Sequence, residues 1–347
     1  MAAEAQYVIQ RIFNNNVVLV HEPPSNVEII LLGKGIGFGK KIGNTISEDH
    51  ADIEKKFRLE DEKHIKQYRS LMNQVDQAVI GISEEIIALI SREIGPVVNE
   101  HVHVALPDHI HFAIQRLRNN LEIVNPFLFE IQTLYPKEFA LAQKAADMIT
   151  NNFPIHIPES EVGFLALHIH SAVSHIPVAK AVQFTNIISE MVKMIEESIS
   201  TTIERDSIDY VRLITHLRFA VERIRQNKSI KNPLLDRIKI TLPDSYELAV
   251  KLAQLISERM DVVVPEDEIG YIAMHLFRLQ PDKINGVLLV RLGMSQDWSK
   301  ESIVRFPADL VSCFFCTEND GRRTKRPGLK KFLNCRFGYS KDNGFGE

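Results

Sequence analysis

The sequence predicts a multidomain chain: a small antiparallel β-sheet followed by two all-α helical bundles. Three observations carry that expectation. The first 60 residues are short β-branched runs broken by turn-forming residues, and from about Glu60 the apolar residues recur three and four apart. Residues 108–170 also align without a gap onto residues 215–277, at an offset of 107. A duplicated segment of that length means two like domains.

The elements follow in chain order. YVIQRIF, VVLVHE and VEIILLG read as strands, with Asn14-Asn15-Asn16 and Pro23-Pro24-Ser25-Asn26 as the turns between them. A fourth strand is expected near Phe38–Ile42 and a last short one near Phe57. A sheet of this size buries little apolar surface, and dimerisation is the expected source of the rest. KHIKQYRSLMNQVDQAV and SEEIIALISREI then open the helical part, and each repeat is expected to be a helix bundle.

The repeat also sorts the histidines. DHIHFAIQRLRNN from Asp108 matches THLRFAVERIRQN from Thr215, and EVGFLALHIH from Glu161 matches EIGYIAMHLF from Glu268. Of thirteen histidines, His109 and His168 recur as His216 and His275, whereas His111 and His170 become Arg218 and Phe277. Asn125-Pro126 and Pro158 recur as Asn232-Pro233 and Pro265, so turns are copied as well as helices.

Composition bounds the function classes. The chain has 347 residues, 45% of them hydrophobic and 25% charged, enough for two or three domains. No apolar run reaches membrane-spanning length and the N-terminus lacks the pattern of a signal peptide, so a cytoplasmic protein is expected. The three cysteines, Cys313, Cys316 and Cys335, all lie in the tail after Gln280, so the body needs no disulfide. That tail is basic, with 12 basic and 8 acidic residues, and holds the only tryptophan, Trp298. We expect a poorly packed extension. Its cysteines lack the second close-spaced ligand pair of a structural zinc site.

GKGIGFGKKIG, residues 33–43, brings flexible backbone, positive charge and one aromatic ring together. It is not a phosphate-binding P-loop, which would need glycine at Lys34 and a hydroxyl residue at Lys41. Alternating glycines at 33, 35, 37 and 39 would give a strand with one bare face that another backbone or a nucleic acid approaches closely. Lys34, Lys40 and Lys41 would then meet phosphates while Phe38 stacks on an unpaired base. A glycine-rich hairpin with solvated lysines fits the same residues.

FNNNVV at Phe13–Val18, GKGIGFGKK at Gly33–Lys41 and the two histidine-bearing repeats together resemble the BglG-type transcriptional antiterminators. The resemblance covers nearly all of residues 5–280, and NEHVHVALPDHI with GIGFGKK is most similar to the glucose-operon branch. It implies an RNA-binding domain at 1–60, phosphotransferase-system (PTS) regulation domains at 68–175 and 176–282, and an atypical extension at 283–347. Such proteins bind a leader-mRNA hairpin as homodimers and prevent a terminator from forming. They are not enzymes and need no cofactor.

Carried over residue by residue, the implied RNA contacts are Arg11, Asn14, Asn16, Gly33, Lys34 and Phe38, and the implied phosphorylated histidines are His109, His168, His216 and His275. These four are the ones the internal repeat selects by itself. The implied donors are a sugar-specific PTS permease (enzyme II) for the first domain and the phosphocarrier protein HPr for the second. One departure stands beside His109: Pro107 occupies a position where relatives often have threonine, expected at a helix start, where it removes a capping hydroxyl.

Neutral imidazole is nucleophilic near pH 7, so histidine suits phosphoryl acceptance. Arg116 and Arg223 stand seven residues after His109 and His216, on the same helical face, as candidate charge partners. Glu161 and Glu268 stand seven before His168 and His275, roughly 10 Å along the axis and too far to orient them. Two alternatives remain. A metal-dependent hydrolase is suggested by His101-x-His103, His109-x-His111 and His168-x-His170, although helical residues two apart point roughly 200° away from each other. A DNA-binding activator is the other, but its helix-turn-helix finds no place in the β-rich start.

Overall fold

The computed structural model describes residues 6–23, 27–95, 99–121 and 123–279. The turn residues Pro24–Asn26, Glu122 and the whole tail with Trp298, Cys313, Cys316 and Cys335 lie outside the described residues.

Five strands, β1 (Gln6–Ile12), β2 (Val17–Glu22), β3 (Val27–Leu32), β4 (Thr45–Ser47) and β5 (Lys55–Arg58), form one sheet in the order β4-β1-β2-β3-β5. Every neighbouring pair is antiparallel. Strand alternation sorts the apolar residues onto two faces. Ile9 faces Val20, Val18 faces Leu31 and Val20 faces Ile29, and this face is closed by Ile36 and Ile46 from the 33–54 segment. The other face, with Phe13, Val17, Leu19, Ile30 and Leu32, merges into the core of the helices that follow. β2 is therefore buried on both sides, which is why it reads as the unbroken run VVLV. Apolar residues on both faces of the sheet thus find packing within this chain.

The expected fourth strand at Phe38–Ile42 is not one. Residues 34–39 form consecutive turns, with Gly35, Gly39 and Gly43 at φ of 72°, 68° and 88°, and the real β4 begins at Thr45. Left-handed backbone at glycine curls the segment back on itself, so alternation of glycines does not mean a bare-faced strand here.

Eleven helices are described: α1 (Glu62–Gln74), α2 (Gln77–Glu93), α3 (Val102–Arg118), α4 (Leu128–Leu134), α5 (Pro136–Asn152), α6 (Glu159–Ser174), α7 (Val178–Ile199), α8 (Ile208–Arg225), α9 (Leu235–Thr241), α10 (Pro243–Met260) and α11 (Glu266–Arg278). The offset of the sequence repeat carries α3–α6 onto α8–α11, including Pro136 and Pro243 at matching helix starts and Asn120 and Asn227, both at φ 53°. α2 and α7 precede the two sets. Among the described residues no single helix is long and apolar enough to cross a membrane.

Pro107 is not at a helix start. It sits inside α3, which begins at Val102. Lacking an N–H, it leaves the carbonyl of His103 without its helical donor, a local cost borne one turn before His109.

Where α1, α2 and α3 meet, a buried polar chain crosses the core. The Tyr68 hydroxyl donates to Glu84 Oε1 at 3.0 Å, and Glu84 Oε2 lies 2.7 Å from His103 Nδ1. Tyr68 and Glu84 are fully buried. Burial, then the adjacent Glu84, pushes the Tyr68 phenol well above its ordinary pKa. Tyr68→Phe strands a carboxylate oxygen away from water, and urea unfolding of this variant should show a loss of about 1–2 kcal/mol.

Candidate functional site

The Asn14–Asn16 turn and the glycine segment meet at one end of the sheet. The Gly33 N–H donates to Asn16 O at 3.0 Å and the Gly37 N–H to Asn15 O at 2.9 Å. Asn14 Oδ1 accepts from the Asn16 N–H at 2.8 Å, and Asn16 Oδ1 accepts from the Gly35 N–H at 3.0 Å. Side-chain oxygens that satisfy neighbouring backbone in this way lock the turns and leave the asparagine amide N–H groups for partners outside the turns.

The six residues carried over from the resemblance divide into two sets here. Lys34 is exposed and Phe38 is 74% exposed, an apolar ring held in solvent. Gly33 is buried, and a methyl group there would come within 1.7 Å of Asp52 O, so packing accounts for glycine at this position. Arg11, Asn14 and Asn16 are half-buried, and their side-chain donors face helices α1 and α2.

The four repeat histidines come together two by two. From α3 and α6, the His109 and His168 rings stack with centroids 4.5 Å apart and planes 30° apart. From α8 and α11, His216 and His275 stack at 3.6 Å and 14°. Burial first, and then neighbouring groups, disfavours the charged form of His168, His216 and His275. The His168 pKa falls well below its ordinary value, with His109 and His101 adding to burial. The His275 pKa is pushed down to about 3 by burial, His216, Arg278 and Arg223, and His216 is lowered by burial and Arg278. A neutral ring offers a nucleophilic nitrogen.

Beside each pair lies a fully buried carboxylate, from Glu161 or Glu268. Glu161 Oε1 accepts from Arg116 at 3.0 Å, while its Oε2 lies 3.5 Å from His109 Nε2. Burial would raise the Glu161 carboxyl, but His109 and Arg116 outweigh it and hold the pKa below the usual range. Glu268 instead takes a two-pronged contact from Arg223, at 2.9 and 2.6 Å. The other histidines of the His-x-His pairs have partners of their own, although His101 also lies near His168. His111 pairs with Gln115, His170 with Glu138, and His101 stacks on His64. Among the described residues no group of three or more histidine, cysteine, aspartate or glutamate side chains is placed to hold a metal ion.

Comparison with known proteins bears on this arrangement directly. The CAT RNA binding domain model matches residues 7–66, and the PRD domain model matches twice, at 84–172 and 189–279. The PtsGHI operon antiterminator of Bacillus subtilis (strain 168) is 40% identical over 275 residues, covering 79% of this chain and 97% of its own. The chain belongs to the PRD-containing antiterminators. Protein GlcT of Staphylococcus aureus (strain MRSA252) is 33% identical over 282 residues, covering 81% of this chain and 99% of its own. Among solved structures, that titled "Crystal structure of GlcT CAT-PRDI" is 43% identical, covers 49% of this chain and 99% of that one, and superposes with a TM-score of 0.42.

As an antiterminator of this family the protein is a regulatory RNA-binding protein and not an enzyme. Its sheet is the CAT domain and its two helical repeats are the PRDs. The sequence reading missed the role of the buried glutamates. Glu161 was measured along α6 against His168, whereas it reaches across to His109 on α3. A signal was present: Glu161 and Arg116 recur together as Glu268 and Arg223, an opposite-charge pair retained in both copies. Glu85 on α2, which receives the Asn14 and Asn16 amides, carried no such signal because it lies ahead of the repeat.

Proposed function

We propose that this antiterminator serves a glucose-uptake operon: it binds a leader-mRNA hairpin as a homodimer, prevents terminator formation, and is switched by histidine phosphorylation from the PTS. The working units are an RNA-binding domain at 1–60, regulation domains at 68–175 and 176–282, and a basic extension at 283–347. The observation that carries the reading is the stacking of the four repeat-selected histidines into two matched pairs. A relative that covers most of this chain and is named for the PtsGHI operon supports the choice of operon.

Arg11, Asn14, Asn16, Gly33, Lys34 and Phe38 form the RNA face in this proposal. Phe38 is the stacking platform and Lys34 the phosphate contact, while asparagine amides read base edges in an opened loop. His109 and His168 accept the phosphoryl group from the sugar permease, and His216 and His275 accept it from HPr. A phosphoryl group brings about two negative charges. On His109 it would face the buried Glu161 carboxylate across 3.5 Å. Like charges at that distance cannot share a dry site, so the first PRD must rearrange, and Arg116, now on Glu161, would be drawn toward the new anion.

The test is a titration of a leader hairpin with internal loops, a scrambled hairpin and duplex DNA against the full chain. Selective binding to the first is expected, and equal binding to all three would sink the proposal. In His109→Ala and His168→Ala, hairpin affinity should be unchanged but no longer respond to the phosphorylated permease domain. Should His111→Ala or His170→Ala behave that way instead, the histidine assignment is wrong.

A further inference from the structure

We propose that the first PRD holds the RNA-reading turn shut: Glu85 and Gly81 on α2 occupy the Asn14 and Asn16 amides, and the hairpin binds only when that contact opens. This rests on the RNA face proposed above and adds what regulates it.

Both asparagine amides converge on one atom. Asn14 Nδ2 donates to Glu85 Oε1 at 2.9 Å, and Asn16 Nδ2 donates to the same oxygen at 3.3 Å. Each amide oxygen is already spent on backbone N–H groups of the two turns, so the donors engaged by Glu85 are the ones left for a base. Arg11 is occupied as well, with Nη1 on Met72 O at 2.9 Å and Nη2 on Asn73 Oδ1 at 3.1 Å. Lys34 and Phe38 remain exposed. The clasp therefore covers the base-reading half of the face and leaves the phosphate and stacking half open.

The fit is close at Gly81. A methyl group there would lie 2.6 Å from Asn14 Nδ2, so only a glycine lets the turn settle on the helix. The same asparagine-on-glycine contact recurs inside both PRDs, Asn125 on Gly163 and Asn232 on Gly270. A second link to the sheet comes from α1, where Arg69 Nε donates to both carboxylate oxygens of Glu28 on β3, at 3.1 and 3.2 Å.

A carboxylate on these amides excludes RNA in two ways. It fills the donors, and its negative charge repels the approaching phosphates. Affinity for the hairpin is then reduced by the fraction of molecules in which the clasp is open.

The experiment compares hairpin affinity of the full chain with that of Glu85→Ala and Gly81→Ala, each checked for an unchanged thermal melt. The first removes the acceptor, and the second displaces the Asn14 amide through an unrelated atom. Both should bind on the order of tenfold tighter, the effect of losing a charge-assisted contact. Unchanged or weaker binding in both variants overturns the clasp. Asn16→Ala separates the two readings. If it abolishes binding while Glu85→Ala changes nothing, the RNA face stands and the clasp fails. If Asn16→Ala binds as the unaltered chain does, the RNA face itself fails and the clasp with it.

Discussion

Between pH 6.5 and pH 5 the protein should lose unfolding free energy, about 1.5 kcal/mol of it from His275 alone, with His168 acting in the same direction. Unfolded histidine titrates near 6.5. In the fold, His275 is pushed down to about 3 and His168 is also driven well below its ordinary value. Over this window the unfolded chain takes up protons that the folded chain refuses, so the contribution is complete above pH 6.5 and shrinks as the pH falls. The groups facing these rings are His109, His101 and Glu161 on one side, and His216, Arg278 and Arg223 on the other. Carboxylates do not interfere. Glu138, Glu161, Glu196 and Glu222 all have lowered pKa values, and their stabilisation is lost only below the usual carboxylate range. Urea unfolding at half-unit pH steps gives the profile, and the double variant His168→Gln, His275→Gln should flatten it. A profile already flat in the unaltered chain would mean that the stacked pairs are hydrated and chargeable, contrary to their burial.

The architecture was legible where physical periodicity controls it. Apolar spacing marked the helices, β-branched runs marked β1, β2 and β3, and the gapless repeat carried α3–α6 onto α8–α11. The repeat also picked out the four histidines whose rings stack two by two, because both copies retain them at matching positions. The failures have other causes, in local backbone conformation and in contacts between residues distant in sequence. Phe38–Ile42 carried strand-compatible residues, but the left-handed backbone at Gly35, Gly39 and Gly43 turns the segment instead. Glu161 was unreadable as a partner of His109 because the two meet across helices, 52 residues apart in sequence. Pro107 looked like a helix start because proline favours that position, yet the apolar Val102 and Leu106 extend α3 ahead of it and bury it in the bundle.

Replacing Lys34 and Phe38 together by alanine should weaken leader-hairpin binding by about two orders of magnitude while leaving the melting temperature where it was. The two halves of that expectation come from one observation: both side chains stand in solvent, so neither contributes packing that the fold would miss. Stacking on an aromatic ring is worth about 1–3 kcal/mol per base, and each lost phosphate contact lowers the salt dependence of binding by about one. Phe38→Ala alone should therefore cut affinity at every salt concentration, whereas Lys34→Ala should mainly flatten the plot of affinity against salt. Both side chains stand in solvent, so their effects should add to those of Glu85→Ala without changing them, as expected for independent sites. A fluorescence-anisotropy titration over a salt series measures all three quantities. Undiminished binding by the Lys34→Ala, Phe38→Ala variant would move the RNA face away from the glycine turn, and leave the exposed ring at Phe38 as a surface for some other contact.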